Sequence, residues 1–118
     1  MSVYVTKASH TVAGGIAHMI EAANEDYMNF PVNDDMKAEF VEEWVIRPGK
    51  KYIKILRDNG GSAWGFIVNT DDDKKFKRGD ILMCAGYKAP ARNGARGNVL
   101  EGNYEIAWTG PMYLRRGL

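Results

Sequence analysis

Among its 118 residues the chain has a single cysteine, Cys84, so no internal disulfide can form and a cysteine-rich zinc site is excluded. A reducing, cytosolic setting is the simplest reading of that scarcity. Histidine is nearly as rare. His10 and His18 are the only two, and eight positions along one helix would hold them too far apart to share a metal ion. No H-E-x-x-H pair is present, and neither G-x-x-x-x-G-K-[ST] nor G-x-G-x-x-G occurs, so there is no nucleotide fingerprint. Long apolar runs are missing too: none approaches the ~18–20 residues a transmembrane helix needs. The opening MSVYVTKASHT lacks the basic start and apolar stretch of a signal peptide.

What is present points to one domain, residues 1–118, large enough for its own core. Hydrophobic residues make up 45% and charged residues 26%, which argues against wholesale disorder. The net charge of +1 hides a split. Residues 1–46 carry two lysines against eight acids, whereas residues 47–118 carry fourteen Lys and Arg against seven. The first part is expected to be acidic and helical, the second basic and β. Such halves form either two opposed faces or a pairing across one fold.

Val3–Val5 has the alternation of a short edge strand. Thr11 or Ser9 can then cap a helix whose stripe is Ile16, Met19, Ile20, Ala23 and Tyr27. Asn33, Asp34 and Asp35 are read as the cap of a second helix, with Met36, Phe40, Val41, Trp44 and Val45 on its buried face. From Arg47-Pro48-Gly49 onward the pattern is β. Ile53 and Ile55 share a face, Asp58-Asn59-Gly60-Gly61 makes a hairpin turn, and Trp64, Phe66 and Val68 share the next face. Strands are also expected at Asp80–Ala85, through Tyr104, Ile106 and Trp108, and at Met112–Leu114, with a turn at Thr109-Gly110-Pro111. The expected fold is α+β: two N-terminal helices followed by a four- to five-stranded antiparallel sheet, strongly curled or barrel-like.

The stretch with the most chemistry is Phe76–Asn98. Gly94 and Gly97 allow an anion-binding nest of backbone N–H groups. Arg92 and Arg96, four apart, would share a side if a helical turn formed, and arginine bonds phosphate or carboxylate bidentately. The candidate binding residues are therefore Lys77, Arg78, Tyr87, Lys88, Arg92, Asn93, Arg96 and Asn98. The alternative is a long connection whose arginines pair with the acidic helices. Cys84, in an apolar strand, reads as an inert small hydrophobe. Asp71-Asp72-Asp73 lacks the alternation of a calcium loop and reads as solvated. Neither Asp34/Asp35 nor Glu42/Glu43 forms a facing carboxylate dyad. No catalytic residue, metal site or cofactor is expected.

At Gly79-Asp80-Ile81-Leu82, Ala89-Pro90-Ala91-Arg92-Asn93, Ala95-Arg96-Gly97-Asn98 and Trp108-Thr109-Gly110, the sequence resembles small uncharacterised proteins of tailed bacteriophages. The resemblance covers residues 50–114 and implies a viral origin and action in the cytoplasm of an infected bacterium. It carries no catalytic residue across.

The expected function is that of a non-enzymatic phage accessory protein that binds and modulates a host macromolecule, foremost a protein. The first alternative is nucleic-acid binding through the basic half, with Tyr87 or Trp64 stacking on bases. A pI near 7.8 weighs against it. The second is a small nuclease or nucleotide-modifying enzyme using Asp80 or Asp58. No membrane partner is expected, and a homodimer is left open.

Overall fold

The computed structural model describes residues 3–29 and 43–111. Strand β1, Val3–Val5, leads into helix α1, Val12–Met28. Thr11 caps the helix: its hydroxyl oxygen accepts the Gly14 N–H at 3.0 Å, satisfying one of the free donors of the first turn. The predicted stripe is the buried one, with Ile16, Met19, Ala23 and Tyr27 all in the core. Burying Ile16 or Met19 contributes about 1.5–3 kcal/mol each, and the single methyl of Ala23 less. Gly15 is on the same face for a steric reason. A Cβ there would lie 2.3 Å from the Val99 carbonyl oxygen, so only glycine lets α1 pack so close to that backbone.

Among the described residues, seven strands form two antiparallel sheets. β2 (Val45–Pro48), β3 (Tyr52–Arg57), β4 (Ser62–Val68) and β5 (Ile81–Leu82) make one, in the order β2-β3-β4-β5. β6 (Tyr104–Ala107) pairs with β1 on one side and β7 (Gly110–Pro111) on the other. Helix α1 covers both: Ile16, Met19 and Ala23 pack with Val5, Tyr104 and Ile106 of the small sheet and with Ile53, Ile55 and Ile67 of the large one. The Trp64 indole N–H reaches the Ala107 and Trp108 carbonyls at 3.2 and 3.0 Å and ties the sheets together.

This differs from the expected architecture. Among the described residues there is one helix, and neither sheet is closed or curled into a barrel. Val45, read as the end of a second helix, opens a strand paired with Leu56. Pro48, which lacks an N–H, takes an edge-strand position where none is required. The remainder of that predicted helix, residues 33–42, lies outside the described residues, as does the strand expected at Met112–Leu114. The last described strand, Gly110–Pro111, falls where a turn was expected. The sheet divides because β6 pairs with β1, closing contacts a hundred residues apart, instead of continuing from β5.

A second correction concerns Trp64. The β3–β4 hairpin forms as predicted, with Asp58, Asn59 and Gly60 all at positive φ. Its register jumps, however: Ile55 faces Gly65 and Leu56 faces Ala63, leaving Trp64 as an extra residue. That bulge turns Trp64 to the α1 side, while Phe66 and Val68 point the opposite way into a second cluster with Phe76 and Leu82.

Candidate functional site

The second cluster is the floor beneath the arginine-bearing loop. Residues 69–80 and 83–98 pack against the face of the large sheet that carries Phe66 and Val68, so both faces of that sheet are covered. The loop is stitched down by its backbone. Arg96 N–H donates to Ile81 O at 2.7 Å and Ile81 N–H to Gly97 O at 2.8 Å, which extends the sheet past β5. Gly97 is required there, because a Cβ would meet the Tyr104 Cβ at 2.4 Å.

No helical turn brings Arg92 and Arg96 together. Arg92 donates through both terminal nitrogens to Asp73, each bond 2.9 Å, and to the Tyr52 hydroxyl, with the guanidinium carbon 4.9 Å from the centre of the Phe76 ring. Asp73 is no solvated loop residue. Its side chain is 3% exposed, and its Oδ1 also accepts the Lys75 and Phe76 N–H groups at 2.8 and 3.0 Å. The Arg92 guanidinium, followed by those two amides, holds the Asp73 carboxyl well below the usual carboxylate range, and Asp73 in turn raises the guanidinium value. Arg96 turns to its own loop, donating to Gly94 O at 3.2 Å and to Asn93 Oδ1 at 2.9 Å.

The other candidate residues divide similarly. Asn98 is 5% exposed and makes four bonds: Nδ2 to Asp80 Oδ1 and Arg78 O, Oδ1 from the Leu100 and Glu101 amides. Asp80, 7% exposed, completes the knot by accepting the Lys77 N–H at 3.0 Å. Lys77 pairs with Glu101, which raises its ammonium value, and Arg78 pairs with Asp71 at 3.1 Å. The Tyr87 hydroxyl donates to Gly60 O while its ring covers the Lys54 ammonium, 3.6 Å from the ring centre. Lys88 beside it is exposed. These three ion pairs all fall within residues 47–118, so the basic half answers its own charge there. Cys84 is half-buried, and burial pushes its thiol up. Among the described residues, no three His, Cys, Asp or Glu side chains converge to hold a metal ion. No helix among them is long and apolar enough to cross a membrane.

Two features went unread in the sequence. Asp73 is one: Asp followed by two amides it can accept is an Asx-turn pattern, and the D-K-K-F run carried that signal. The other is the pair of sheet edges that no described strand covers. Tyr4 on β1 is 57% exposed and Ile46 on β2 45% exposed, an apolar side chain on each outer strand. A groove of about 160 Å³ runs between β1 and α1, with His18, Glu21, Ala22 and Glu25 along its helical wall. A second hollow of about 360 Å³ lies between β2 and the start of α1, lined by Val12, Ile16, Ile46, Pro48 and Ile53. No family model, curated protein or solved structure matches this chain.

Proposed function

We propose that this chain is a non-enzymatic accessory protein of a tailed bacteriophage that binds a host protein and modulates it in the infected cell. The phage assignment rests on the resemblance carried by residues 50–114. The observation that carries protein binding is the placement of exposed Tyr4 and Ile46 on the outer strands of the two sheets. Open strand edges flanked by apolar side chains are surfaces to which another polypeptide adds. By contrast, Trp64 is 2% exposed, Arg92 is held by Asp73 and Tyr52, and Arg96 by its own loop, which weighs against the nucleic-acid reading.

The test is photo-cross-linking in bacterial cells, with a photoreactive phenylalanine analogue replacing Tyr4 or Ile46 and, as control, the buried-face residue Ile20. Discrete adducts from the edge positions and none from the control support the reading. Titration of labelled DNA and RNA accompanies it: salt-sensitive binding weakened by Lys88→Ala, with no edge adducts, would replace protein binding with the nucleic-acid alternative.

A further inference from the structure

The sheet edges are not equally protected. β2 carries Arg47 and Pro48 on its edge, β7 (Gly110–Pro111) carries a proline, and the outer side of β5 is taken by the Arg96–Gly97 backbone. These are the usual devices against strand addition. β1 is short, but Val3-Tyr4-Val5 holds neither proline nor charge, and it pairs with β6 on one side alone among the described residues.

Beside β1 lies the groove against α1. His18, Glu21, Ala22 and Glu25 fall at i, i+3, i+4 and i+7, one stripe of the helix. Ala22 leaves room, and Glu21 and Glu25 stand exposed on either side of it. Neither carboxylate pairs with a cation of the described residues, although Lys7 lies at the same rim. His18 also lines this wall, although its Nδ1 is buried without a hydrogen-bond partner and is not open to the groove.

We infer that the β1–α1 groove receives an extended segment of the partner protein, which adds to β1 as a strand and places a lysine or arginine side chain between Glu21 and Glu25. This rests on the protein-binding reading and gives it a site. The strand follows from the unprotected edge, and the cation from the two unanswered carboxylates. A volume of about 160 Å³ takes one long side chain. A second copy of the chain fits less well, because Val3-Tyr4-Val5 holds no cation within the strand and its nearest, Lys7, stands two residues beyond it.

Fluorescence anisotropy with a labelled peptide of alternating valine and lysine tests this, against the same peptide with glutamate in place of lysine and a third bearing alternate N-methyl groups. The lysine peptide should bind at least about tenfold tighter than the glutamate peptide at low salt and lose that margin as screening increases. N-methylation should abolish binding, since it removes the ladder donors. The doubly reversed variant Glu21→Lys/Glu25→Lys, whose changes fall at exposed positions of the groove wall, should invert the preference; circular dichroism confirms its fold. Equal affinity for both peptides, or a preference unmoved by the double variant, would overturn the inference. So would a sedimenting dimer that Tyr4→Glu dissociates, since a second copy would then hold the edge. Edge cross-links in cells that persist unchanged in the double variant would sink this groove and leave the protein-binding reading standing. Loss of every cross-link from the unmodified chain would sink both.

Discussion

Arg92 reaches back to Asp73 and holds both of its carboxylate oxygens at 2.9 Å. This one pair fixes the loop of residues 83–98 to the connection before β5, and it converts the most suggestive arginine in the sequence into architecture. Because the Asp73 carboxyl is held below its usual value, its contribution to stability is complete above the unfolded value of about 3.9 and is lost as pH falls below it. Urea midpoints measured from pH 6 down to pH 2 should therefore drop steeply below pH 4 in the natural chain. Asp73→Asn should lower the midpoint at pH 6 and flatten that descent; an unchanged slope would show that the pair carries no linkage.

Asn98 and Asp80 make the second fastening. Truncating Asn98 to alanine leaves Asp80 Oδ1 and two backbone amides without their partner, while Asp80 Oδ2 keeps the Lys77 N–H, so a loss of about 2–4 kcal/mol is expected. Chemical denaturation measures it directly. A loss under about 0.5 kcal/mol, the range of ordinary surface changes, would show that the knot is replaced by water.

Tyr104 has a hydroxyl with the opposite problem, being buried with no hydrogen-bond partner. Tyr104→Phe removes an unmet group at constant shape and should be neutral or stabilising by up to about 1 kcal/mol. Burial also pushes the Tyr104 phenol up, so the unfolded chain ionises first and stability falls as pH rises above about 10. The phenylalanine variant should lose part of that alkaline decline in thermal melts.

Gly15 permits the contact between α1 and the Val99 backbone. Gly15→Ala gains helix propensity of about 1 kcal/mol yet forces a Cβ to within 2.3 Å of a carbonyl oxygen, and the strain should dominate. A net loss of about 1–3 kcal/mol is expected, against a change for the exposed control Ala17→Leu of no more than a few tenths in either direction. Thermal melting of both variants compares them.

The Cys84 thiol, pushed up by burial, should react with a disulfide reagent more slowly than a free thiol at pH 8. Urea at its unfolding midpoint should restore the ordinary rate. Rapid labelling of the native chain would place Cys84 in solvent.

Elements with local causes are written in the sequence. Helix α1 follows from Thr11 and a stripe repeating every three or four residues; the β3–β4 hairpin follows from Asp58-Asn59-Gly60, where positive φ is cheap. Val3–Val5 was legible as an edge strand for the same reason. Partnership was not legible. Strand alternation predicts that Trp64 joins Phe66, but a bulge set by pairing with Ile55 and Leu56 turns it to the helix, and no period of two can announce that. Trp44 and Val45 kept helical spacing, yet pairing with β3 made Val45 a strand residue. The choice of β1 as the neighbour of β6, which splits the sheet, joins the two ends of the chain. The loop shows the same division: composition marked Phe76–Asn98 as rich in charge and glycine, while only the tertiary structure placed Asp73 beneath Arg92 and Asp80 beside Asn98. Charge is a property of residues, but whether it is free to bind depends on what the folded chain sets within 3 Å of it.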